Sequence, residues 1–203
     1  MHQAGTRWPH RDDELAPDGD TQPPQVETPE GDRSGQGITV DRDTFRSIMG
    51  GFAAGVAIVT TLDSEDRPAG LTTTAVCSVS ADPAALLVCI DHDSRTLPAL
   101  RHTRRFIVHF MDSQATFVSL RFSSKAPDKF RDMWWEPGPS GLPFLTRHVL
   151  TWAQCETEFE TTVGDHTVIV ARIVDGSGPA AETPPAPLIY FDRQFGHWQA
   201  ATH

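Results

Sequence analysis

A chain of 203 residues with a formal net charge of −10 suits one domain of ordinary size, since two independent domains would each be small. Its acidity, with a pI near 5.2, argues against nucleic acid as the main partner, because neutralising phosphates needs a surplus of Lys and Arg on one face. The chain starts without a basic segment followed by an apolar one, and no apolar run is long enough to cross a bilayer, so the expectation is a soluble cytoplasmic protein with no membrane partner.

Residues 1–37 are dominated by Pro, Gly, Asp and Glu, with eight acidic residues against three basic ones. Such a stretch cannot build a core, so it reads as a disordered acidic tail ahead of a domain at 38–203. Asp41 or Asp43 can then cap a short helix whose Phe45, Ile48, Met49 and Phe52 recur at helical spacing. The β-branched run 56–62 predicts a strand, residues 63–68 a turn, and 69–76 the partner strand of a hairpin. Residues 85–90 predict a further strand and 92–95 a polar turn. A short helix follows over 96–102, with Pro98 tolerated in its first turn. A strand at 106–111 and a helix at 114–122 come next. Residues 133–144, rich in Pro and Gly and carrying Trp134 and Trp135, read as a structured loop. Strands at 150–162 and 167–175 form a hairpin around Gly164, 176–187 is a Pro-rich loop, and 188–191 with 195–198 forms a last short hairpin. Cys77, Cys89 and Cys155 lie far apart in apolar or strand-like stretches and read as small buried side chains. Many short strands with few short helices, and no strict alternation of the two, favour a mainly β barrel over a doubly wound sheet.

Several segments carry groups able to hold an anion or a planar ring. Ser94, Arg95 and Thr96 follow a strand and open a helix, where unpaired N–H groups attract negative charge; a plain N-cap with a solvated Arg is the simpler reading of those residues alone. Thr72 and Thr74 share one face of their predicted strand and Thr73 the other, which suits the polar edge of a ring or only strand propensity. His166 closes a turn after Gly164 and Asp165, as turn chemistry or as a ligand contact. Ser123, Ser124 and Lys125, followed by Lys129 and Phe130, form a basic hydroxylated segment that could meet a phosphate or remain a solvated loop. No zinc-protease, nucleophile-elbow or phosphate-loop motif is present. The triplet Asp91, His92, Asp93 cannot easily converge on one ion, so no metal is expected.

Taken in order, Phe-Ala-Ala-Gly-Val-Ala-Ile-Val-Thr-Thr (52–61), Gly-Leu-Thr-Thr-Thr-Ala-Val-Cys-Ser-Val-Ser-Ala-Asp-Pro (70–83) and Val-Cys-Ile-Asp-His-Asp-Ser-Arg-Thr (88–96) form a set. Arg-Phe-Ser-Ser (121–124), Lys-Phe (129–130), Trp-Glu-Pro-Gly-Pro-Ser-Gly-Leu-Pro (135–143) and Gly-Asp-His (164–166) complete it. The ordered set resembles the flavin reductase-like family, FMN-binding split β-barrels that serve as the small component of two-component flavin monooxygenases. The resemblance spans about residues 45–198. It implies a homodimer with FMN near the subunit interface, FAD being possible, and NADH or NADPH as electron donor to a flavin released to a partner monooxygenase. It also implies that Thr72, Thr73 and Thr74 line the ring and its side chain, with Cys89, Ile90 and Asp91 beside the flavin. Ser94, Arg95 and Thr96 would lie near the phosphate, Ser123, Ser124 and Lys125 would complete that pocket, and His166 would approach the nicotinamide or the ring. His109 departs from the pattern at a strand position where such proteins often carry Asn, as do Arg147 and His148 where smaller or apolar residues are usual. A flavin-binding redox module without nicotinamide turnover, or a flavin enzyme acting directly on an organic substrate, are the alternative readings.

Overall fold

The computed structural model describes residues 39–179 and 185–198; the tail proposed for 1–37 lies outside the described residues. Helix α1 (Arg42–Gly50) begins where the Asp41 carboxylate accepts from the Thr44 amide at 2.7 Å, one of the amides a helix start leaves without a partner. Strands β1 (Ala54–Gly55), β2 (Ala57–Leu62), β3 (Pro68–Thr73), β4 (Val76–Ala81) and β5 (Ala84–Asp91) follow, then α2 (Leu97–Thr103), β6 (Arg105–Met111) and α3 (Thr116–Ser123). The chain continues through β7 (Trp135–Pro137), β8 (Pro143–Leu145), β9 (Val149–Val163), β10 (His166–Ser177), β11 (Leu188–Phe191) and β12 (Gln194–His197).

Seven strands form one antiparallel sheet in the order β3-β2-β6-β9-β10-β5-β4. Its two edge strands, β3 and β4, are consecutive in the chain and joined only by Thr74 and Ala75. Two residues bridge about 10 Å, so the sheet curls until its edges nearly meet. The result is a barrel split between β3 and β4, mainly β as expected. Strand β2 shows how the sequence builds it: Ala57 and Val59 face an inner core with Val88, Ile90, Phe106, Val108 and Ile169. Ile58, one residue out of phase, faces a second core with Met111, Val118, Phe122, Phe130 and Leu145. Each large side chain buried there contributes roughly 1.5–3 kcal/mol.

Several expectations are corrected. Residues 69–76 are not one strand: the Thr73 hydroxyl accepts from the Ala75 amide at 3.0 Å, turning the chain out of β3 and across to the opposite sheet edge. Thr74 therefore lies in the turn and shares no strand face with Thr72. The loop expected at 133–144 holds most of a small hairpin, β7 with β8, in which Trp135 stands opposite Leu145. Cys77 is exposed on edge strand β4 and Cys89 is half-buried; only Cys155 is in the core. Phe45, Ile48 and Met49 do share a face of α1, but the helix buries none of its residues. Part of the loop expected at 176–187 lies outside the described residues, and β10 runs on to Ser177. Among the described residues no helix is long and apolar enough to cross a membrane.

Candidate functional site

The site begins at a glycine. Gly70 is buried in β3, and a Cβ there would lie 2.9 Å from the Phe122 ring and 2.9 Å from the Val59 carbonyl oxygen, so its missing side chain lets α3 close on the strand. Its carbonyl oxygen accepts from Thr96 Oγ1 at 3.0 Å and from Lys129 Nζ at 3.1 Å. Lys129 also donates to the Phe122 carbonyl at 2.6 Å, and Thr72 Oγ1 donates to that of Ser119 at 2.7 Å. β3, the start of α2, the end of α3 and the loop after it are thereby tied at one point.

These elements enclose a narrow cleft of about 170 Å³ lined by Gly70, Arg95, Thr96, Pro127 and Lys129 among others. Arg95 donates to the carbonyls of Lys125 and Ala126, both at 2.6 Å. Among the described residues neither Arg95 nor Lys129 pairs with a carboxylate, so two positive charges stand together. Burial and the nearby Arg95 charge push the Lys129 ammonium down to about 8. A phosphate group suits this donor set, because an anion relieves the repulsion between the cations.

Four residues along the chain from Gly70, roughly 13 Å at strand rise, Thr74 opens onto a wider cleft of about 720 Å³. Thr74, Ala75, Cys77 and Cys89 contribute to its walls from the β3–β4 corner and from β4 and β5; Phe45 and Met49 of α1 and Tyr190 of β11 add apolar surface. The β11–β12 turn is joined to the end of α1 by the Asp192 amide, which donates to the Gly50 carbonyl at 3.0 Å. Burial raises the Cys89 thiol. A cleft of this size and largely apolar lining accommodates a planar ring system.

The proposed residues divide between the two clefts and their supports. Arg95 and Thr96 line the narrow cleft, and Thr74 and Cys89 the wide one. Thr72 and Thr73 spend their hydroxyls on the chain itself. The Ile90 side chain points into the core, and its position in β5 is paired opposite Thr167 of β10, so Ile90 supports the sheet rather than lining either cleft. Asp91 accepts from the Asp93 amide at 2.7 Å, and Ser94 from the Thr96 amide at 3.3 Å. α2 carries no side-chain cap, so Ser94 does not act as one. Ser123 and Ser124 turn back onto the Leu120 and Arg121 carbonyls, while Lys125 supplies its carbonyl to Arg95.

His166 stands opposite Asp91 across β10 and β5, which brings it beside the strand proposed to flank the ring. Its Nδ1 lies 2.7 Å from Asp165 Oδ1; that hydrogen bond holds the Asp165 carboxyl below its usual range. A carboxylate only accepts, so Nδ1 carries the hydrogen. His109 lies outside the clefts: fully buried, it accepts from the Leu145 amide through Nε2 at 3.1 Å and donates through Nδ1 to the Ile58 carbonyl at 3.2 Å. Arg147 stacks over Trp134 at 4.8 Å, and His148 Nδ1 lies 3.6 Å from Asp112. The reading of residue types left Gly70 and Ser119 out of the site; a Gly inside a strand pattern was the available sign of a close approach.

A family model described as flavin reductase like domain matches residues 49–199. The flavin reductase (NADH) of Kitasatospora aureofaciens is 43% identical over 160 residues, covering 78% of this chain and 83% of that protein. The flavin reductase (NADPH) of Lentzea aerocolonigenes is 33% identical over 172 residues, covering 84% and 97%. Among solved structures, a nitrilotriacetate monooxygenase component B homologue from Mycobacterium thermoresistibile superposes with a TM-score of 0.72 at 30% identity, covering 77% of this chain and 86% of that one.

Proposed function

The chain belongs to the flavin reductase-like family, and from that membership we propose that it is an NAD(P)H:flavin oxidoreductase that supplies reduced flavin to a partner monooxygenase. The observation that carries this reading is the pair of clefts joined by the end of β3: a cationic one at Gly70, Arg95 and Lys129, and an apolar one at Thr74 and Cys89. FMN is the form of flavin this pairing suits, with its phosphate at Arg95, Thr96 and Lys129 and its ring at Thr74 and Cys89. A flavin bound there supplies the acceptor for the hydride of a reduced nicotinamide, and the protein contributes position and electrostatics.

The chain's own residues do three things in this reading. Arg95 and Lys129 neutralise the phosphate. The Thr73 turn, closed on the Ala75 amide, presents Thr74 at the ring's polar edge. His166, oriented by Asp165, meets the nicotinamide or the ring. The chain works as a homodimer, supported by the exposed apolar residues of α1 beside the wide cleft, and in the cytoplasm, where reduced nicotinamides are available.

Steady-state oxidation of NADH and of NADPH with added FMN or FAD tests the assignment. Turnover that saturates with free FMN is expected, and the relatives named for each donor make the choice between NADH and NADPH a result of the same assay. A His166→Ala variant is expected to raise the donor KM while keeping FMN affinity. Bound flavin with no oxidation of either donor would overturn the reading.

A further inference from the structure

Cys77 of β4 and Cys89 of β5 both line the wide cleft. Cys77 stands opposite Leu87, and the Cys89 amide donates to the Ala75 carbonyl at 3.0 Å. Alternate residues share a strand face, so the two thiols are diagonal neighbours on one face of adjacent strands. Such neighbours lie about 7–8 Å apart, their Cβ atoms somewhat closer, whereas a disulfide spans up to about 6.8 Å between Cα atoms. Closing the pair therefore needs a shift of about an ångström.

Strand β4 can supply that shift. Within the seven-stranded sheet it pairs with β5 alone, its register slips between Ser78 and Ser80, and every residue from Cys77 to Ala81 is exposed. A small oxidant in the cleft reaches exposed Cys77 first, with half-buried Cys89 behind it. Burial raises the Cys89 thiol and pushes that of buried Cys155 up to about 12. Oxidants attack the thiolate, so neither competes with Cys77 as the first target.

We propose that Cys77 and Cys89 are a redox-active pair, which hydrogen peroxide converts to a disulfide in the wall of the flavin cleft. The inference rests on the reductase reading, which supplies the oxidant. Reduced flavin that meets dioxygen before it meets a partner passes on two electrons and two protons, giving oxidised flavin and hydrogen peroxide. One peroxide oxygen passes to the Cys77 thiol, making a sulfenic acid, and the other leaves as water. The Cys89 sulfur then attacks that of Cys77; the S–S bond forms, and the hydroxyl departs with the Cys89 proton as a second water. The bridge draws β4 toward Cys89 beside the ring's seat. Flavin binding weakens, and reduction slows when no partner consumes its product.

Treating the full chain with hydrogen peroxide in the absence of nicotinamide, then mapping its peptides by mass and titrating FMN by fluorescence, tests the pair apart from turnover. The expected product is a cross-linked Cys77–Cys89 peptide pair, two hydrogens lighter than its reduced form, with Cys155 unmodified. FMN affinity is expected to fall about tenfold and to return with dithiothreitol. Each variant is compared with its own untreated form. Cys77→Ser is expected to lose no affinity on treatment, and Cys89→Ser to hold Cys77 as a sulfenic acid that dimedone traps. Unmodified Cys77, a bridge between two copies of the chain, or a bridge that leaves FMN affinity unchanged would each overturn the proposal. So would an equal loss of affinity in Cys77→Ser. A pair that forms in a chain unable to oxidise NADH or NADPH would overturn the reductase assignment alone.

Discussion

Lys129 and His109 show how burial gives two ionisable side chains opposite uses. Lys129 is driven down to about 8 by burial and the Arg95 charge, so its ammonium is present below that pH and is lost above it. A phosphate keeps its second negative charge across this range. FMN affinity is therefore expected to fall as pH rises through about 8, while riboflavin, which lacks the phosphate, shows no such fall. Fluorescence titration of both flavins from pH 7 to pH 9.5 checks this, and Lys129→Met should weaken FMN by about tenfold at pH 7 and flatten the profile. His109 is pushed down to about 4 by burial, and its two ring nitrogens already serve the Ile58 and Leu145 backbones. The unfolded chain takes up a proton near 6.5 that the folded chain refuses until about 4. Stability is thus intact above 6.5 and falls by about 3 kcal/mol as pH drops to about 4. Urea unfolding at pH 7 and pH 4.5 should show that loss in the native chain and a smaller one in His109→Asn.

Among the elements, β3 carries the most structural demands. It is a sheet edge, it seats α3 through Gly70, and it ends in the turn that sends the chain to the other edge of the barrel. Gly70→Ala forces a Cβ to 2.9 Å from both the Phe122 ring and the Val59 carbonyl; the ring can shift, but the backbone of β2 cannot easily do so. A loss of about 1–3 kcal/mol is expected, read as a lower thermal midpoint, together with weaker FMN binding because the Gly70 carbonyl holds Thr96 and Lys129. The sequence pattern marked β2, β5, β6 and the β9–β10 hairpin, whose runs are β-branched or apolar. It merged β3 with the start of β4 because Thr73, Thr74 and Ala75 have ordinary strand chemistry, and the break is made by one side-chain hydrogen bond.

For the whole molecule, the exposed apolar face of α1 is the feature a lone chain leaves unexplained. Phe45, Ile48 and Met49 are each about half exposed, yet they sit at helical spacing as a core-facing helix would place them. If a second copy covers this face, light scattering should give twice the chain mass, and Phe45→Ser with Met49→Ser should shift it toward the monomer and weaken flavin binding, since both residues line the wide cleft. A monomeric native chain would sink the homodimer.

The sequence alone determined the mainly β class, most strands, the start of α1 and the hydroxyl- and cation-bearing segments, because these follow from local periodicity, capping and turn chemistry. Only the tertiary structure decided which of those segments meet. Arg95 and Lys129 are 34 positions apart and share a cleft because Gly70 lets α3 close on β3. His166 stands opposite Asp91 because β10 pairs with β5. Ile90 and His109 face inward although their types left either orientation open. Strand alternation fixes which neighbours share a face, whereas long-range pairing fixes which face is buried.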